Sequence, residues 1–300
     1  MKMPDFVYHR PDSLEVALAL LAQHGPEAKV LAGGQSLLPV MALRLSQPAH
    51  LVDITRVPEL HQLAVAPDGG LVIGAGVRHE EVERSELVAT HAPLLAQAVR
   101  LVGHPAIRAR GTVCGSLAHA DASAELPAVA LAVDAELVAT SVRGERIIPA
   151  AEFFTGFLST ALAPDEILTQ VRLPAWPADR WGQVSEVSRR HGDFALVGLV
   201  AALTIGEGGV LTGAALSYFG VGSTPVRARR AEQVLTGLRV GDPQTVDDAV
   251  EAVTGELDPG GDIHATPAYR RYVAGQLTRQ ILTAAPGRVA TAGASQGGAA

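Results

Sequence analysis

Cysteine and lysine are almost missing from this chain of 300 residues. One cysteine, Cys114, excludes an intrachain disulfide, a Cys-ligated zinc site and an iron–sulfur cluster carried by this chain alone. Only Lys2 and Lys29 are lysines, so Schiff-base chemistry is not expected. No Gly-Lys dipeptide occurs, which removes the P-loop, and no His-Glu-x-x-His occurs either. Long apolar runs are absent as well. The longest uncharged stretch, 208–226, holds five glycines and a proline, so no membrane span is expected. The N-terminus lacks the apolar stretch of a signal peptide, which makes a cytoplasmic protein the expectation. A net charge of −7 argues against a binder of nucleic-acid phosphates.

What is present reads as globular: 48% apolar and 18% charged residues, in a chain long enough for one large domain or two ordinary ones. Short strands are predicted at Phe6–His9, Lys29–Ala32, His50–Ile54 and Leu71–Ile73. Between the first two, Asp12 is read as the cap of a helix with Glu15 at N3, and Gly25-Pro26 as its stop. Glu80–Val102 reads as helix broken near Ala92-Pro93, and Leu126–Val133 as helix with Pro127 in its first turn. Leu137–Val142 and Ile167–Leu173 alternate like strands, with Arg143-Gly144-Glu145-Arg146 read as a charged turn between them. Pro174-Ala175-Trp176-Pro177 marks a boundary. Beyond it, Gln183–Ser188, Ala195–Ile205 and Val210–Phe219 suggest a small antiparallel sheet. Helices are read at Arg227–Leu235, Val246–Val253 and Tyr269–Leu282. Short strands mixed with helices indicate an α/β or α+β fold, of which α+β is the class expected, with domains over 1–176 and 177–285 and a disordered Gly/Ala-rich tail over 286–300.

Several enzyme signatures fail in detail. Gly74-Ala75-Gly76 follows a strand, but position 79 is His, not the third glycine of a dinucleotide fingerprint. Gly34-Gln35-Ser36 lacks the closing glycine of a nucleophile elbow. His119 and Asp121 offer two metal ligands without an evident third. Two glycine-bearing segments remain. Ala32-Gly33-Gly34-Gln35-Ser36-Leu37 leaves a strand and enters a helical stretch, where adjacent glycines let a ligand approach the main chain. Arg110-Gly111-Thr112-Val113-Cys114-Gly115-Ser116 is similarly small and donor-rich, with Asp121 and Glu125 placed to accept from ribose hydroxyls. Each alone reads equally as an ordinary turn. Together they suit a ligand with two adjacent phosphates, one loop on each side.

These two segments resemble the FAD-pyrophosphate loops of the flavoprotein (medium) subunits of molybdenum hydroxylases, the carbon monoxide dehydrogenase and xanthine dehydrogenase family. His104-Pro105-x-Ile107-Arg108, Ala124-Glu125-Leu126-Pro127, Ser188-Arg189-Arg190-His191-Gly192-Asp193-Phe194-Ala195 and Tyr269-Arg270-Arg271 match in the same order. The resemblance implies an FAD domain of vanillyl-alcohol oxidase type, built from two α/β subdomains. A small domain with a three-stranded antiparallel sheet and helices would follow it. It implies that Ala32, Gly33, Gly34, Gln35, Ser36 and Leu37 hold one side of the pyrophosphate, and Thr112, Cys114, Gly115 and Ser116 the other. Glu125 matches an acidic residue that contacts FAD, Asp121 is its neighbour at the ribose or phosphate, and Leu162 matches a residue near the flavin ring.

No catalytic side chain and no metal ligand is expected in this chain. The family scheme places a molybdenum–pterin cofactor on a large partner subunit and [2Fe-2S] clusters on a small one, within a dimer of heterotrimers. Electrons pass to FAD here and onward to an external acceptor. Relatives carry a Gly-Gly pair where this chain has Cys114-Gly115, which is harmless only if residue 114 has negative φ. A stand-alone FAD-dependent oxidase or reductase is the alternative; it needs an acid or base beside the flavin, and no such set is evident. A non-catalytic FAD-binding assembly protein is a third reading.

Overall fold

In the computed structural model, which describes residues 3–286, the N-terminal segment builds a small parallel sheet. Strands β1 (Val7–His9), β2 (Ala28–Leu31) and β3 (His50–Asp53) lie in the order β1-β3-β2. Helix α1 (Leu14–His24) crosses from the first strand to the second and buries Ala17, Leu18 and Leu21. Its cap is Ser13, whose hydroxyl accepts from the Val16 N–H at 3.3 Å. That corrects the assignment to Asp12: Glu15 falls one position too early to close a capping box. Gly25, at φ +50°, turns the chain out of the helix. A short helix, α2 (Leu37–Ala42), follows the glycine loop after β2.

The second sheet is antiparallel. Its strands are β4 (Leu63–Val65), β5 (Leu71–Gly74), β6 (Glu136–Ser141), β7 (Gly144–Pro149) and, later in the chain, Ile167–Leu173 at the centre. Residues Arg143–Arg146, expected as a turn, instead lead into β7, which faces solvent along nearly its whole length. An edge strand tolerates such charges and is shielded by them from further pairing. Six short helices connect β5 to β6: α3 (His79–Arg84), α4 (Glu86–His91), α5 (Pro93–Ala98), α6 (Pro105–Arg108), α7 (Val113–His119) and α8 (Glu125–Ala132). The stretch expected as one broken helix over 80–102 is thus three. Ser85 ends α3 and its hydroxyl caps α4 by accepting from Val88 N–H. After α9 (Ala150–Phe153), strands β8 (Phe154–Gly156) and β9 (Ser159–Thr160) pair as a small hairpin, before β10 (Ile167–Leu173) enters the sheet.

The C-terminal unit holds β11 (Arg180–Ser188), β12 (Ala195–Ile205), β13 (Leu211–Phe219) and β14 (Val226–Arg227) in sequential antiparallel order. Four strands stand where three were expected. The extra one is two residues long and is pinned where Arg227 bonds the Glu232 carboxylate and the Leu131 carbonyl. Helices α10 (Arg229–Leu235), α11 (Pro243–Glu256) and α12 (Pro267–Ala284) cover one face.

β12 explains how the two units lock together. Val197, Leu199, Ala201, Leu203 and Ile205 point into the helix-covered core, while Ala195, Val200 and Ala202 join the core of the N-terminal unit. A strand buried on both faces loses the polar alternation of a half-exposed one. Gly198 is the packing exception on it: a Cβ there would sit 1.9 Å from the Phe219 ring. Gln97 on α5 adds a polar tie by donating to Gly182 O and accepting from Val184 N–H, at 3.1 and 3.0 Å. The expected tail over 286–300 lies, from 287 onward, outside the described residues.

Candidate functional site

The first glycine loop leaves the carboxyl end of β2, the edge of a parallel sheet where ligands characteristically bind. The second loop reaches the same place from another direction. His79 N–H at the start of α3 donates to Gly111 O, and Val113 N–H donates to Val77 O. Residues 110–112 are thereby laid directly against residue 33. The approach is so close that a Cβ on Gly33 would lie 2.1 Å from Arg110 O and 2.6 Å from Gly111 Cα. Gly33 is a spacer between two backbones. Gly34 has a different reason to be glycine: its φ is +72°.

Arg108 holds the second loop from behind. Buried, it pairs with both Glu83 oxygens (2.8 and 3.1 Å) and donates to Val102 O and Gly103 O. A planar fork satisfied on all sides is the arrangement in which a buried guanidinium is tolerated. The His104–Arg108 stretch is accordingly a brace for the loop; its side chains supply the geometry that Gly111 and Thr112 need.

Between the loops lies a cleft of about 840 Å³, large for a small-molecule site and of a size suited to an extended cofactor. Ala32, Gly33, Gly34, Gln35, Ser36 and Leu37 line one wall. Thr112, Cys114, Gly115, Ser116, Asp121 and Glu125 line the opposite one, and Leu162 closes the far end. All thirteen residues expected to hold the cofactor line this one cleft, whereas Arg189, Arg190 and the Tyr269–Arg271 segment do not. Among the described residues, the N–H groups of Gly33, Gly34, Gln35 and Ser36 donate to no protein acceptor, and the Ser36 and Ser116 hydroxyls have no protein partner. Such unspent donors facing one cleft suit an anionic group.

Two N–H groups of the second loop are already engaged within the protein. Gly115 N–H is used by the Thr112 hydroxyl (3.1 Å), and Ser116 N–H by Thr112 O (3.0 Å). A Cβ at Gly115 would meet that hydroxyl at 2.6 Å, so glycine here protects the α7 cap. Among the described residues, the Cys114 N–H and the Ser116 hydroxyl of this loop are left without a protein partner. Cys114 sits inside α7 with negative φ, and its thiol turns away toward Ile73 O at 3.6 Å. Burial pushes that thiol up to about 12, so the residue is an inert filler.

Two titratable groups in the cleft are strongly perturbed. Burial pushes the Glu125 carboxyl up to about 8, and like-charge repulsion from Glu186 and Asp121 adds to the rise. Glu186, on β11, is itself pushed up to about 7 by burial, and its Oε2 has no hydrogen-bond partner. His79 is pushed down to about 4 by burial, which outweighs a raising backbone contact at Thr112; both ring nitrogens are buried and make no well-formed hydrogen bond among the described residues. Asp121 keeps one oxygen free, the other accepting from Ser123 N–H at 2.8 Å.

Sequence reasoning missed His79, Lys29, Thr160 and Leu158, all of which line the cleft. His79 follows a strand and looked only like a failed glycine position. Its burial arises from Gly111, where a Cβ would touch the ring at 2.9 Å. Leu158 carries a weak signal, a bulky residue at φ +51° on the hairpin between β8 and β9. His91, read as structural, bonds Gly69 O, and His104 stacks on His191 at 6.3 Å.

Residues 4–176 match the family model described as the FAD binding domain in molybdopterin dehydrogenase, and residues 183–285 that of the CO dehydrogenase flavoprotein C-terminal domain. The chain is 40% identical to the 6-hydroxypseudooxynicotine dehydrogenase complex subunit alpha of Paenarthrobacter nicotinovorans, over 95% of this chain and 96% of that one. It is 39% identical to the caffeine dehydrogenase subunit beta of a Pseudomonas species, covering 96% and 97%. Among solved structures, carbon monoxide dehydrogenase from Hydrogenophaga pseudoflava superposes with a TM-score of 0.90 at 36% identity, covering 93% of this chain and 96% of that one. Quinoline 2-oxidoreductase from Pseudomonas putida 86 gives 0.89 at 37%, covering 94% and 97%. The two-loop cleft thus sits in a chain that belongs, over both of its units, to the FAD-binding flavoprotein family of molybdopterin dehydrogenases.

Proposed function

We propose that this chain is the FAD-carrying electron-transfer subunit of a molybdenum-containing dehydrogenase. The observation that carries the reading is the single cleft formed by both glycine loops, with unspent N–H donors on one wall and a largely protonated Glu125 on the other. Bound there, FAD would supply the change from single-electron to two-electron transfer. The protein's own residues bind and orient it. Gly33, Gly34, Gln35 and Ser36 present N–H groups to one side of the pyrophosphate, and the Ser36 and Ser116 hydroxyls extend that donor set. Glu125 and Asp121 face the ribose hydroxyls, and Leu162 packs toward the ring. A neutral Glu125 adds no negative charge beside the pyrophosphate, which an ionised one would repel.

The same reading takes 1–176 as the FAD domain, of vanillyl-alcohol oxidase type with the parallel and antiparallel sheets as its two subdomains, and 177–285 as the C-terminal flavoprotein domain. Its partners are a large molybdenum–pterin subunit and a small [2Fe-2S] subunit, assembled as a dimer of heterotrimers. Relatives named as a subunit of a 6-hydroxypseudooxynicotine dehydrogenase complex, a caffeine dehydrogenase subunit and a carbon monoxide dehydrogenase medium chain support a role as one subunit of a complex. No described helix is long and apolar enough to cross a membrane. Co-expression with the molybdenum and iron–sulfur chains of its host tests the reading. Capture of all three chains with FAD bound is the expected result. A chain that ignores those partners and turns over a substrate alone would establish the stand-alone flavoenzyme instead.

A further inference from the structure

Away from the cleft, three histidines converge at the edge of the parallel sheet. His9 ends β1 and His50 begins β3; in the parallel register Val7 pairs with His50 and His9 with Val52, so the two imidazoles stand diagonally on one face. His24 is the last residue of α1, which crosses over that face. His9 Nε2 and His50 Nδ1 approach to 2.9 Å, and the His24 ring lies 3.6 Å from the His50 ring and 5.3 Å from that of His9, centre to centre. One nitrogen from each ring falls within 4.8 Å of the other two. All three side chains are half-buried, so an ion can reach them from solvent.

We propose that His9, His24 and His50 bind one divalent first-row cation of the zinc class, with water in the fourth position. Three imidazoles with an open position form an established zinc ligand set, and nitrogen ligands favour zinc, nickel and copper over magnesium or calcium. The spacing is suitable. Ligand atoms around a tetrahedral zinc stand roughly 3.3 Å apart for Zn–N bonds of about 2.0–2.1 Å. The separations here, from 2.9 Å to less than 4.8 Å, bracket that value; the His24 and His50 rings are stacked at 15°, so binding requires one of them to turn out of the stack and aim its in-plane lone pair at the ion. A contact of 2.9 Å between two ring nitrogens also requires one to accept, so at least one lone pair already faces the cluster. The carbonyl end of α1, beside His24, favours a cation. Bound there, the ion would tie α1 to β1 and β3, two strands of the sheet whose third strand, β2, leads into the first glycine loop. The site is independent of the flavin reading.

The test uses the full chain without a histidine tag, stripped with chelator and titrated with zinc sulfate in a calorimeter, and with cobalt in a visible spectrometer. One zinc per chain is expected; cobalt added to the stripped chain should give visible ligand-field bands that added zinc abolishes. His24→Ala and His50→Ala should each weaken binding at least tenfold while the far-UV circular dichroism is unchanged. Should a variant misfold, wild-type protein modified with diethyl pyrocarbonate decides: zinc must protect His9, His24 and His50. No saturable binding, unaltered affinity in both variants, or no protection of these three rings would each overturn the site.

Discussion

Replacing Glu125 with glutamine isolates the effect of burying a carboxyl in the cleft. In the folded protein this group is held at about 8 against an ordinary value of 4.5. Between those limits the folded state binds a proton that the unfolded chain releases, so stability falls as pH rises. The favourable difference is complete below about pH 4.5 and lost on passing through about pH 8. At about 1.4 kcal/mol per pH unit the full swing reaches at most about 5 kcal/mol. Glutamine keeps the shape and cannot ionise. Urea unfolding of flavin-free protein, repeated from pH 5 to pH 9, reads the difference directly. Wild type and Glu125→Gln should be close at pH 5, and the variant should become the more stable by a few kcal/mol at pH 9. Some slope remains in both because Glu186 titrates near 7. Parallel profiles would refute the reasoning, since they would mean that Glu125 ionises normally in a hydrated cleft.

Three further outcomes follow from the packing. Gly33→Ala must separate two backbones that leave its Cβ 2.1 Å from Arg110 O; a cost of about 1–3 kcal/mol and at least a tenfold loss of FAD affinity are expected, read by melting temperature and by flavin retained on gel filtration. Cys114→Gly should keep FAD but lose roughly 1–2 kcal/mol, because a helix-interior glycine replaces a buried filler; wild-type Cys114 should react with a thiol reagent only after denaturation. Gly198→Ala, with no room before Phe219, should abolish soluble folding or cost more than about 3 kcal/mol in urea, unlike Gly255→Ala, where a Cβ meets nothing within 4 Å.

Much of the site was legible because its signals are local. A strand running into Gly33-Gly34, and Thr112 ahead of Gly115-Ser116, state their turn and cap chemistry within a few residues. Convergence of the two loops is not local; it was available from the ordered family motifs and not from spacing. His79 was illegible for the same reason, since its burial is made by Gly111 on another loop. In the fold, β4 was missed because three residues carry too little pattern, and β7 because its edge position lets it keep the charges of a turn. The helix cap slipped from Ser13 to Asp12, two residues of equal capping ability side by side. β12 was found but its meaning was hidden: only the structure shows that its unbroken apolar run faces two cores.

The most direct test of the central claim is an absorbance spectrum of the purified chain after addition of FAD and removal of the unbound excess, followed by identification of the flavin released on denaturation. A cleft built for a pyrophosphate predicts flavin bands, about one FAD per chain, and no retention of FMN, which lacks the second phosphate. If the chain is colourless both alone and in a complex with its partner subunits, or holds FMN as well as FAD, the two loops do not form a pyrophosphate site.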